Sequence, residues 1–217
     1  MTPTQSPLFL AIVEGDPEAA LTETQNLLNE QQDAQTILQS HLIPAMGEVG
    51  RLFDEGEYFV PDLLLSSKAM QEAMTVVNPL LKETGVAKTG TVIIGTVQGD
   101  HHDIGKNLVA SMLEGNGFEV IDLGVNTSPT AFVEEVRRHE GKVVVALSAL
   151  LTTTMPQMKA VIDLLNQEGL RKQVRVMVGG APVSEQFAKD IRADGYSENA
   201  NTAVRLAKKL AFASREA

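Results

Sequence analysis

Thr91-Val92-Ile93-Ile94-Gly95-Thr96-Val97, followed after Gln98 by Gly99-Asp100-His101-His102-Asp103-Ile104-Gly105-Lys106-Asn107, is the passage on which the fold turns. Its first half is a short β-branched run interrupted only by Gly, the pattern of a strand buried on both faces. Its second half is a polar loop holding two of the chain's four histidines and two carboxylates. The loop leads into a helical pattern from Asn107 to Glu114, which ends near Gly115-Asn116-Gly117.

The alternation then repeats. Apolar strands are predicted from Phe118 to Leu123, closed by Gly124, from Lys142 to Leu147, and from Val174 to Val178, closed by Gly179-Gly180. A short fifth strand is expected over Ala193-Asp194-Gly195-Tyr196. Helices are expected from Pro129 to Arg138, Met155 to Asn166, from about Ser184, and Asn201 to Phe212. Nearly all-apolar strands alternating with helices imply an α/β domain with a doubly wound, five-stranded parallel sheet covered on both faces. Its crossovers should be right-handed. Such sheets bind ligands at the carboxyl ends of their strands, so the loops after strands one, three and four should carry the chemistry.

Upstream, to about residue 83, no β-alternation appears. Ile37, Leu38, Leu42, Ile43, Met46, Val49 and Leu52 recur at helical spacing, as do Leu63, Leu64, Ser67, Met70, Met74, Val77 and Leu80. Four or five helices are expected, with Pro44 marking either a kink or a boundary. The polar stretch Lys82 to Gly90 is the linker candidate. The predicted organisation is a helical domain over 1–86 and an α/β domain over 87–217.

Composition narrows the function classes. The 217 residues carry no Cys, which excludes disulfides, thiolate metal sites and Cys nucleophiles. The net charge of −10 and the lack of Trp argue against nucleic acid and anionic membrane as partners. The N-terminus has no basic region before its apolar stretch, and no run is long enough to span a bilayer, so a cytoplasmic protein is expected. Small molecules, cofactors and protein partners remain.

In the loop after the first strand, an Asp two residues before a His can reach the imidazole Nδ1–H. Nε2 is then electron-rich and free for a metal or a proton. Gly105 lets the chain turn or lets something bulky approach. Asp100-His101-His102-Asp103, taken alone, also suits a hydrolytic Zn or Mn site.

Asp100-x-His102-x-x-Gly105, together with Ser148-x-Leu150 after the third strand and Gly179-Gly180 after the fourth, resembles the fingerprint of cobalamin-binding domains of the base-off, His-on type. The resemblance extends upstream through Leu42-Ile43-Pro44-Ala45-Met46, Val49-Gly50, Phe53 and Gly56-Glu57-Tyr58-Phe59-Val60-Pro61, and so covers nearly the whole chain. It is similar to the small corrinoid proteins of methanol, methylamine and methyl-ether methyltransferase systems, and to the cobalamin module of methionine synthase.

The resemblance implies a four- or five-helix bundle cap on a Rossmann-like, flavodoxin-like sheet. It implies that His102 ligates the cobalt of a cobalamin, with Asp100 on Nδ1 and Thr154 extending the relay. Gly99, Asp100, His101, His102, Asp103, Ile104 and Gly105 would line the cofactor, His101 as a loop residue and not a ligand. Gly105, Ser148, Gly179 and Gly180 would form the slot for the nucleotide tail, with Leu150, Thr152, Tyr196 and Ala200 beside it. Phe53, Val60 and Leu63 would cap the upper face. The implied partners are a substrate-specific methyltransferase, an acceptor methyltransferase using tetrahydrofolate or a thiol, and a reductive activase. The implied role is carriage of a methyl group on cobalt. A cobalamin-dependent sensor and the cobalamin subunit of a mutase are the alternatives. Such sensors carry a DNA-binding domain before the cap, for which no room is expected here, and mutase subunits usually lack such a cap.

Overall fold

The computed structural model describes residues 6–84, 89–139 and 143–212. The chain forms two compact units, Met1–Lys88 with Glu114–Gly117, and Thr89–Leu113 with Phe118–Ala217. The predicted boundary between residues 86 and 87 lies outside the described residues.

The first unit is helical. Its described elements are α1 (Pro7–Val13), α2 (Pro17–Asn29), α3 (Ala34–Ile37), a π-helical turn (Leu38–Leu42), α4 (Ile43–Asp54) and α5 (Val60–Thr84). The starts follow from capping chemistry. The side chains of Ser6, Asp16 and Asp33 accept from Phe9, Ala19 and Thr36 N–H, and Pro occupies the first position of α1 and α2. Pro44 is neither a break nor a boundary. The chain runs helically from Ala34 to Asp54 and widens into the π turn just ahead of the proline, which has no N–H to give the preceding turn. Helix α5 runs through Pro79 to Thr84, so the expected linker begins later than Lys82. Ile12, Ile37, Leu42, Met46, Leu63 and Met70 fill the bundle, each at most 1% exposed.

The second unit is the predicted α/β sheet. Strands β1 (Thr91–Thr96), β2 (Glu119–Asp122), β3 (Val143–Ser148), β4 (Val174–Gly179) and β5 (Gly195–Ser197) are joined by α6 (Ile104–Glu114), α7 (Pro129–Arg137), α8 (Pro156–Gln167) and α9 (Glu185–Asp190), and α10 (Ala200–Phe212) follows. All pairings are parallel, in the order β2-β1-β3-β4-β5. Ile93, Val145 and Val176 pack with Phe132, Met158 and Ile162 of the helices in one core. Full burial of a Val, Leu or Phe side chain stabilises by about 1.5–3 kcal/mol, so a β-branched run with helices on it has nowhere else to go.

In the α/β unit two predicted starts move by two residues or more. Helix α6 starts at Ile104, three residues early, because Asn107 N–H closes a first turn on Asp103 O at 2.7 Å. Strand β5 starts at Gly195 and not Ala193. Asp194 spends its backbone N–H on Val176 O and its carboxylate on Val176 N–H and Arg171, which makes a turn there.

This order puts the topological switch point between β1 and β3, where the connections leave in opposite directions. The register aligns Thr96, Ser148, Gly179 and Ser197 in one row at the carboxyl edge.

Candidate functional site

Beyond β1, Val97 N–H bonds Ser148 O at 3.0 Å and carries the ladder one residue further. Gly99, with φ +84, then reverses the chain. Asp100 N–H returns to Val97 O at 3.1 Å, which turns the Asp100 side chain inward until none of the residue is exposed. Oδ1 accepts from His102 backbone N–H at 3.1 Å and faces ring Nδ1 at 2.7 Å. Oδ2 accepts from Leu150 N–H at 2.8 Å, Leu151 N–H at 3.2 Å and Thr154 Oγ1 at 2.8 Å. One carboxylate thus ties the loop after β1 to the turn after β3, across the switch point.

The electrostatics fix the tautomer. Burial raises the Asp100 carboxyl pKa, but hydrogen bonds from His102, Leu150 and Thr154 outweigh it and hold the group well below the usual carboxylate range. An ionised carboxylate only accepts, so Nδ1 carries a proton, and in the neutral ring the lone pair is on Nε2. The His102 side chain is half exposed. Among the described residues no hydrogen bond to Nε2 is present.

The remaining predicted residues fall in three places. Beyond the ends of β1 and β3, His101, Asp103, Ile104, Gly105, Leu150 and Thr152 are exposed, Ile104 at 71%. A Cβ on Gly105 would meet nothing within 4 Å, so the protein itself does not require glycine there, and the space is open. Around β4 the packing is tight. A Cβ on Gly180, whose φ is +127, would fall 1.9 Å from Ala149 O, and one on Gly179 would fall 3.1 Å from Ser197 O. Ser148 is half-buried, Ala200 is buried at the head of α10, and half-buried Tyr196 packs against the core beneath. In the helical unit, Val60 is 48% exposed and Phe53 half-buried, but Leu63 is 1% exposed. Leu63 shares its burial with Ser66, Ser67 and Met70 along the α5 repeat.

The sequence reading missed four residues. Thr96 Oγ1 donates to His102 O at 2.8 Å, and Asn126 Oδ1 accepts from Gly99 N–H at 2.8 Å. Lys106 is buried and joins Asn107 Oδ1 at 2.7 Å and the carboxylate of Asp122. None stands at a motif spacing. Among the described residues, no group of three or more His, Cys, Asp or Glu is placed to hold a metal ion, so the hydrolytic alternative finds no ligand set.

The B12 binding domain family matches residues 90–205, and a second B12 binding domain family matches residues 5–78. A corrinoid protein of Desulfitobacterium hafniense is 37% identical over 203 residues, 92% of this chain and 94% of its own. Dimethylamine corrinoid protein 1 of Methanosarcina acetivorans is 42% identical over 179 residues, 82% of this chain and 84% of its own. A chain in the crystal structure of the methanol:cobalamin methyltransferase complex of Methanosarcina barkeri superposes with a TM-score of 0.82 at 30% identity, covering 97% of this chain and 80% of that one. With B12-binding matches on both units and relatives aligned over most of their length, the chain belongs to the B12-binding corrinoid proteins.

Proposed function

We propose that this protein binds cobalamin with His102 Nε2 as the lower ligand and carries a methyl group between two methyltransferases. The observation that carries the reading is the 2.7 Å contact between His102 Nδ1 and an ionised, buried Asp100, which leaves Nε2 as a basic, accessible donor. The residues present fit a corrinoid. A lone nitrogen ligand stands at the switch point, open space lies over Gly105, and Ile104, Leu150 and Leu151 offer exposed apolar surface around it.

Cobalamin, when bound, supplies the cobalt centre that accepts and releases the methyl group. The chain's residues do the rest. Asp100 keeps the proton on Nδ1 and so holds Nε2 available for the metal. Its two oxygens already face five donors, from His102 N–H, His102 Nδ1, Leu150 N–H, Leu151 N–H and Thr154 Oγ1. A carboxylate so saturated has no lone pair left for a further donor. Gly105, Ser148, Gly179 and Gly180 would receive the nucleotide tail, with Thr152, Tyr196 and Ala200 beside it. Phe53 and Val60 are the candidates for shielding the upper face from water.

The proposed partners are a substrate-specific methyltransferase and an acceptor methyltransferase using tetrahydrofolate or a thiol, with a reductive activase to restore the cofactor. The relatives named for dimethylamine and the methanol:cobalamin complex support this class of partner. No described helix is long and apolar enough to cross a membrane.

The test is to mix apoprotein with hydroxo- or methylcobalamin, desalt, and record visible spectra of wild type and His102→Ala. Retained cobalamin with a nitrogen-ligated spectrum in wild type only is the expected result. Identical spectra for the two proteins would remove His102 as the ligand, and no retention by wild type would overturn cobalamin binding itself.

A further inference from the structure

Thr96 closes β1 and is fully buried. Its main chain is engaged on both sides, N–H to Gly124 O at 3.0 Å and carbonyl from Thr127 N–H at 2.9 Å. In a strand of Val and Ile, apolar packing asks for no hydroxyl, and burying one costs free energy unless it is bonded. This hydroxyl donates to the carbonyl oxygen of His102 at 2.8 Å.

The bond matters because the contact to Asp100 does not fix the ring by itself. Asp100 Oδ1 holds Nδ1 and the His102 N–H, but both contacts pivot on one oxygen, and the ring can still swing about it if the carbonyl side of the His102 main chain shifts. The Thr96 hydroxyl fixes that main chain from the rigid end of the central strand. Asn126 holds the other end of the same loop. Its Oδ1 accepts from Gly99 N–H and its own N–H donates to Asp100 O, each at 2.8 Å, with Asn126 at φ +53.

We propose that Thr96, with Asn126 behind it, is a positioning residue that sets the direction of His102 Nε2. The proposal rests on the reading of His102 as the cobalt ligand. Neither residue touches the cofactor in this scheme. They hold the segment that presents the ligand, as supporting hydrogen bonds do for metal-bound imidazoles generally.

The experiment compares Thr96→Val, which keeps the shape and removes the hydroxyl, with Thr96→Ser, which keeps it. In 15N-labelled apoprotein, the His102 Nδ1–H signal is followed for position and exchange rate. In protein loaded with cobalamin and reduced to Co(II), electron paramagnetic resonance measures the fraction of cobalt split by a lower nitrogen. In Thr96→Val the ring proton should exchange roughly fivefold faster, the size expected for loss of one net hydrogen bond. The nitrogen-split fraction should fall while bound cobalamin is retained, and Thr96→Ser should restore both. An unchanged ring signal in Thr96→Val, or an equal defect in Thr96→Ser, overturns the proposal. If wild type shows no nitrogen splitting, the ligand reading fails, and the apoprotein signal still decides the role of Thr96. Should the valine variant not fold, Asn126→Gly releases the same loop without backbone strain, and an unchanged ring signal there overturns the proposal equally.

Discussion

Thr154 Oγ1 stands 2.8 Å from Asp100 Oδ2, on the carboxylate oxygen opposite the one that faces His102 Nδ1. The hydroxyl has one proton and two acceptors in reach, the second being Leu151 O at 2.9 Å. Its choice therefore modulates how much charge Asp100 offers the imidazole. Thr154→Val should lower stability by about 1 kcal/mol, the net worth of one such bond, while Thr154→Ser should stay near wild type. Urea unfolding of the three proteins checks it. A valine variant as stable as wild type would mean that the two backbone donors alone satisfy Oδ2.

Asp100 gives the apoprotein an acid dependence whose direction follows from its environment. Its folded-state pKa is depressed, whereas the unfolded side chain titrates near about 3.9. A depressed carboxylate contributes stability that is fully present above the unfolded value and is lost as pH falls through the folded one. Asp100→Asn should therefore be less stable at pH 7 by roughly 2 kcal/mol, since donors that faced a charged acceptor lose it. It should also lose stability less steeply than wild type as the medium is acidified below about pH 4. Urea midpoints at pH 7 and at pH 3–4 separate these outcomes. Parallel pH profiles for the two proteins would remove Asp100 as a source of the acid sensitivity.

Gly105 allows ligand space to be tested apart from folding. It lies in the first turn of α6, and an added Cβ meets no atom within 4 Å. Gly105→Ala should leave the apoprotein as stable as wild type or stabilise it by about 0.5–1 kcal/mol, because alanine is the better helix former. A branched side chain should separate fold from function, so Gly105→Val should fold and lose at least about tenfold in cobalamin affinity, as a bulky group blocks close approach. Equilibrium titration of apoprotein with hydroxocobalamin measures it. Wild-type affinity in Gly105→Val would show that the space over α6 does not receive the cofactor.

The legible features were those written locally. The strands stood out because runs such as Val143 to Leu147 are β-branched, apolar and short, and both flanking helices bury them. The start of α7 at Pro129 stood out because a Ser-Pro pair caps and initiates by itself. The His102–Asp100 pair was visible because two residues of a tight loop suffice to make it. The hidden features are relations between distant residues. In sequence Thr96 is one more β-branched strand residue, and its hydroxyl acquires a purpose only when the loop folds back. Lys106 reads as a solvated loop residue, yet the end of β2 brings Asp122 over it and it is buried.

Gly180 supplies the strictest test of the packing between the turns after β3 and β4. Its φ of +127 is rarely adopted by L side chains, and a Cβ there would stand 1.9 Å from the carbonyl oxygen of Ala149. That oxygen belongs to the turn carrying Leu150 and Leu151, whose N–H groups hold Asp100. Relief requires the β3 turn to move away from β4, and the movement would pull directly on the carboxylate that orients His102. Gly180→Ala should therefore destabilise by about 2–4 kcal/mol, combining backbone strain with a clash that no flexible side chain can absorb. It should also broaden the His102 Nδ1–H signal in the folded fraction. Thermal unfolding gives the first quantity and 15N-resolved spectra of the imidazole the second. A variant that is destabilised but keeps a wild-type ring signal would show that the β3 turn absorbs the clash without passing it to Asp100.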